Sequence, residues 1–198
     1  MDPIFFVILA MLGTVAGFLA GLMGIGGGMI LVPFLTALLT WRGLTGELVV
    51  HAAVATSMAT IIFTSISSVA AHQRKGAIRW DIVIALAPGI IIGGLFSGGA
   101  LFAALKSGWI ALFFALFVGY MSIQMRSSRQ PKPSRQMPGP LGTGAAGAGI
   151  GLVSGLVGAG GGFISVPFMT WCNVSLPHAV ATSAALGFPI AVANVSGY

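Results

Sequence analysis

Residues 21–34 read Gly21-Leu22-Met23-Gly24-Ile25-Gly26-Gly27-Gly28-Met29-Ile30-Leu31-Val32-Pro33-Phe34. The pattern returns as Gly155-Leu156-Val157-Gly158-Ala159-Gly160-Gly161-Gly162-Phe163-Ile164-Ser165-Val166-Pro167-Phe168, every glycine displaced by 134 positions. Each copy lies inside a long apolar run. A glycine costs a helix roughly 1 kcal/mol relative to alanine, so five of them between Gly21 and Gly28 need a reason. In a bilayer, broken backbone is tolerated only where protein buries it or where it lines a wet cavity. Both stretches are therefore expected to be interrupted helices at the centre of a transporter. Gly17/Gly21 and Gly24/Gly28 also have the four-residue spacing that lets helices approach closely. Packing alone is the competing explanation, and the triple Gly26-Gly27-Gly28 exceeds what packing requires.

Composition fixes the solvent. The 198 residues are 57% hydrophobic and 6% charged, against about 25% charged in soluble domains; mean hydropathy is +1.02. That much apolar surface implies a lipid bilayer as partner. The net charge of +6 sits in short loops between apolar runs, which makes it an orientation signal rather than a nucleic-acid footprint. The single cysteine, Cys172, excludes an internal disulfide. The N-terminus lacks the basic region of a secretory signal and is expected to remain as the start of the first span.

Residues 4–39 carry no charge, yet one crossing needs only about 20 residues. A tilted helix, a helix broken at Gly24–Gly28 with Pro33 supporting the break, and a span followed by a re-entrant piece all fit. Further spans are expected at 48–72, 82–105 and 109–125, with Asp81 capping the third. Residues 126–140 hold four prolines and four basic residues and read as a solvated linker. The expected units are therefore residues 1–125, the linker 126–140, and residues 141–198. Val54-Ala55-Thr56-Ser57 matches Val180-Ala181-Thr182-Ser183, so the second unit repeats the first. The repeat stops before its last spans, and two more are expected beyond Tyr198.

The fold expected is an all-α polytopic membrane protein of two tandem repeats of about four spans each. The second is truncated here, and the first helix of each is broken by glycines. Loops 73–80 and 126–140 carry the basic excess and are expected to be cytoplasmic. Four spans per repeat would leave the repeats parallel rather than inverted.

Asp2, Glu47 and Asp81 are the only carboxylates, all at span ends. Cation sites need deep oxygen or imidazole ligands, so a small anionic substrate fits better. Bare backbone N–H groups at Gly26, Gly27, Gly28, Gly160, Gly161 and Gly162 could hold an anion. The hydroxyls of Thr56, Ser57, Thr182 and Ser183 could complete the shell, unless they bond their own helices. Asn194 is either a helix–helix hydrogen bond or a substrate contact. His72 with Arg74 and Arg79 forms either a basic vestibule or a proton-coupling group, or His72 is simply an interfacial side chain. No cofactor and no metal set is expected. Catalysis is not expected either. His51 and Ser57, six apart, lie on different helix faces, and no Gly-x-Ser-x-Gly elbow or Gly-Lys-[Ser/Thr] phosphate loop is present.

Three elements together resemble the TauE/SafE family of sulfite exporters. They are the duplicated glycine motif, the Ala-Val-Ala-Thr-Ser after each copy, and Ala71-His72-Gln73-Arg74-Lys75-Gly76-Ala77-Ile78-Arg79-Trp80. The resemblance implies seven or eight spans, an internal duplication, and transport of sulfite, sulfonates or related organic anions across the bacterial cytoplasmic (inner) membrane. The alternative is a non-transporting membrane protein that assists assembly or maturation through its small-residue faces.

Overall fold

The computed structural model describes residues 3–23, 28–44, 48–126 and 136–198. Gly26, Gly27 and most of the linker lie outside them. The described chain is helical, without strands. The helices are α1 Pro3–Met23, α2 Gly28–Trp41, α3 Leu48–Gln73, α4 Trp80–Ala104, α5 Ser107–Arg126, α6 Pro140–Val157, α7 Gly162–Trp171 and α8 Leu176–Val195. Four of them, α3, α4, α6 and α8, are long and apolar enough to cross a membrane. Large apolar side chains such as Phe63, Ile84, Ile92 and Ile123 are exposed on the outside, as a lipid-facing surface requires.

The chain breaks where the glycines cluster. α6 ends at Gly158 and α7 starts after Gly161, with φ of 69° and 74° at these two residues. That left-handed backbone is one only glycine adopts at no steric cost. The prolines are not the breaking residues: Pro33 lies inside α2 and Pro167 inside α7. Asp81 does not cap α4; Arg79 holds the N-cap position, and Asp81 sits in the first turn. There its negative charge still suits the positive end of the helix.

Contacts fix the directions. α4 and α6 run parallel, backbone against backbone. A methyl group on Gly89 would strike the Gly144 carbonyl, one on Gly93 the Ala148 carbonyl, and one on Gly151 the Ile90 carbonyl. Both helices start at the end of the bundle that carries Arg74, Lys75 and Arg79, the basic end. α8 starts there as well. The His178 ring nitrogen lies 2.8 Å from the Ala77 carbonyl, and the Arg79 N–H donates to the Thr182 hydroxyl at 3.0 Å. Further along, Asn194 reaches Gly94 and Gly98 of α4. α7 runs the other way. Its Ser165 donates to Ser183 of α8 at 2.8 Å, and Cys172–Val174 shares a pocket with Arg79, Asp81 and Gln136. α6 and α7 thus enter from the basic end, turn at the glycine break and return to it.

That return corrects the expected parallel relation. α3 and α8 carry the matched Val-Ala-Thr-Ser segments, yet they run antiparallel. Thr182 meets Arg79 just past the end of α3, while Gly187 meets Ser65 and Ile61 further back along it. α4 and α5 each run the length of the bundle once between the two matched helices. The α6–α7 pair adds no net passage, so α8 points opposite to α3.

Candidate functional site

A cavity of about 440 Å³ lies against the glycine break. Gly160 and Gly162 form its inner end, with Leu31 of α2 and Gly187 of α8 beside them. One long wall is α3, through Thr60, Thr64, Ser68 and His72, with Ser65 and Ser67 on either flank. Gly13 and Gly17 of α1, and Val180, Ser183 and Ala184 of α8, close the rest. No carboxylate and no lysine or arginine lines it among the described residues. From Thr60 to His72 the wall climbs about 18 Å at 1.5 Å per residue, from the level of the break to the basic end.

The break is held from both sides. Ser57 of α3, fully buried, donates to the Gly158 carbonyl at 2.8 Å. Gly28, at the start of α2, packs directly on the Gly158 carbonyl and the Ala159 backbone, so the α2 end of the first glycine run touches the second. The Ile164 and Ser165 amides of α7 donate to the Gly161 carbonyl at 3.0 and 2.9 Å, whereas Gly162 and Phe163, at the very start of the helix, have no carbonyl one turn back in it. Toward the opposite end the bundle is filled. Phe102 meets the His51 ring edge-to-face at 4.5 Å and lies tilted against the Tyr198 ring at 4.2 Å, and the Tyr198 hydroxyl donates to the Gly155 carbonyl at 2.7 Å.

The residues singled out in the sequence divide accordingly. Gly160, Gly162, Ser183 and His72 line the cavity. Gly161 supplies the turn but faces Ile190 and Ser154. Thr56 is exposed on the outer face of α3, where its carbonyl accepts the Thr60 hydroxyl. Thr182 is taken up by the Arg79 backbone, and Ser57 by Gly158. Asn194 is buried between α4 and α6, its Nδ2 donating to Ile190, and it stands apart from the cavity. Its Oδ1 and the Ser154 hydroxyl are buried without a partner. Arg74 is exposed in the loop. Arg79 pairs with Asp81 at 2.6 Å; the hydrogen bonds that it donates to the Asp81 carboxylate, then the charge of that carboxylate, push the guanidinium pKa above its ordinary value. Only His72 of the expected vestibule therefore reaches the cavity.

Ser67 and Ser68 are cavity residues not singled out from the sequence. The signal was present: Thr60, Thr64, Ser68 and His72 follow the four-residue spacing of one helix face. Ser165, the buried partner of Ser183, had no such signal.

Comparison with known proteins gives a consistent picture. The sulfite exporter TauE/SafE family profile matches residues 9–198. A "probable membrane transporter protein" of Haemophilus influenzae is 35% identical, over 98% of this chain and 74% of its own length. YunE of Bacillus subtilis, which carries the same description, is 30% identical over 90% of this chain and 72% of its own length. MJ0441 of Methanocaldococcus jannaschii is 28% identical over 89% and 66%. No solved structure matches. With nearly its whole length covered by one profile, apolar helices of membrane-crossing length, and relatives described as transporters, this multi-pass membrane chain belongs to the sulfite exporter TauE/SafE family.

Proposed function

We propose that the chain is a permease for small anions, such as sulfite, sulfonates or related organic anions, in the bacterial inner membrane, with the basic end cytoplasmic. The anion is held at the glycine break, where the Gly162 amide at the start of α7 and the Ser183 hydroxyl, which accepts from Ser165 and keeps its own proton, offer dipoles without a competing carboxylate. Gly26–Gly28 would supply the matching amides from the first run. The observation that carries this reading is the unwound backbone at Gly158–Gly161, whose Gly160 lines the end of a cavity that no carboxylate lines among the described residues. In a water-poor setting such dipoles act far more strongly on a negative charge than they do in water. Thr56, Thr182 and Asn194 drop out as ligands, and Ser57 acts by holding Gly158.

The test is counterflow in proteoliposomes loaded with unlabelled oxyanions. Uptake of labelled sulfite or methanesulfonate above protein-free vesicles is expected, with no uptake of labelled potassium or choline. A chain that moves no anion, yet co-purifies with another membrane protein, would favour the assembly-partner alternative.

A further inference from the structure

An oxyanion needs hydrogen-bond donors, and a hydroxyl that already donates to a carbonyl presents only lone pairs to it. Applied along the α3 wall, this sorts the hydroxyls. Thr60 donates to the Thr56 carbonyl, Thr64 to Ile61 and Ser65 to Ile62, at 2.9–3.3 Å. These protons are committed inside the helix. Ser67, Ser68 and His72 line the same cavity, and their side chains have no hydrogen-bond partner among the described residues. Ser68 and His72 are half-buried and one helical turn apart, with Cβ atoms about 5–6 Å from each other. A hydroxyl and an imidazole at that spacing can donate to two oxygens of one headgroup. The imidazole keeps an N–H donor whether neutral or protonated. Arg74 and Lys75 follow two and three residues after His72 and raise the local anion concentration.

Resting on the anion-permease reading above, we propose that Ser68 and His72, flanked by Ser67, form a recognition station for the anion's oxygens. It lies at the basic end of the cavity, before the glycine break. These are specificity residues; Ser57 and Thr64 are not. The discriminating quantity is the split between KM and kcat in counterflow of labelled sulfite and of methanesulfonate, measured on the full chain in proteoliposomes. Ser68→Ala and His72→Phe should each raise KM about tenfold or more, with kcat within about threefold of wild type. His72→Gln restores a donor and should bring KM back to within about threefold. Thr64→Val, whose proton is already spent, should leave KM within about twofold. The melting temperature in detergent should not move in any of the four, so that a folding defect is not mistaken for lost recognition. A wild type that transports either anion, with Ser68→Ala and His72→Phe unchanged in KM, would overturn the station and leave the permease reading standing. A wild type that transports neither overturns both.

Discussion

Gly161→Val is expected to abolish transport while leaving the chain inserted in the membrane. Gly161 holds φ at 74°. A β-branched residue there costs on the order of 1–3 kcal/mol of backbone strain. The new Cβ would also lie 2.5 Å from Ile190 Cδ1 and 2.9 Å from the Ser154 hydroxyl. Overpacking of that kind typically costs about 1–3 kcal/mol more. The least costly escape is to shift the break, which displaces Gly160 and Gly162 from the end of the cavity. The four membrane-length helices do not depend on that backbone, so insertion should survive. Counterflow rates and the amount of protein extracted from the membrane fraction, measured on the same preparations, check this. Equal loss of both would return the glycines to a packing role.

Gly151→Leu should instead cost the fold itself. α4 and α6 approach so closely that a methyl on Gly151 would strike the Ile90 carbonyl and lie 2.9 Å from the Gly94 amide nitrogen. Leucine adds three more carbons against backbone that has no rotamer to yield. The helices must separate toward the 8–10 Å of ordinary packing, taking Gly147 and Gly155 off α4 as well. Lipid competes for apolar surface as well as any helix does, so this close fit is what holds the pair together. A loss of about 3 kcal/mol or more is expected, read as a collapsed thermal transition and aggregation after detergent extraction. Gly149→Leu is the control, because nothing lies within 4 Å of a methyl added there. An unchanged melting temperature in Gly151→Leu would show that the seat can open at little cost.

Much of the fold is legible in the chain, because lipid makes apolar length a direct measure of crossing. The expected spans at 48–72, 82–105 and 109–125 lie within about two residues of α3, α4 and α5 at most boundaries. The glycine run at 158–162 breaks as its composition demands. What composition could not give is the direction of the chain after a break. A kinked crossing and a re-entrant turn contain the same residues, and only contacts such as Ser165–Ser183 separate them. The ligand set was less legible for a related reason. Thr56-Ser57 and Thr182-Ser183 stand out by repetition, but repetition does not say which way a hydroxyl points. Ser57 turns inward to Gly158, Thr56 outward, and Thr182 to Arg79. The α3 face that lines the cavity could be drawn from the spacing of Thr60, Thr64, Ser68 and His72. Whether another helix covered that face could not.

The central claim is that the space between α3 and the glycine break is a water-accessible path for an anion. Thiol labelling tests it most directly. Thr64 lies midway along the wall, and the native cysteine, Cys172, is buried and can be replaced by serine. In the Thr64→Cys, Cys172→Ser chain, an impermeant anionic methanethiosulfonate reagent applied from the basic end should react within minutes. Excess methanesulfonate should slow that reaction severalfold, and choline should not. A thiol that stays inert, or reacts at the same rate with and without the anion, would contradict the account.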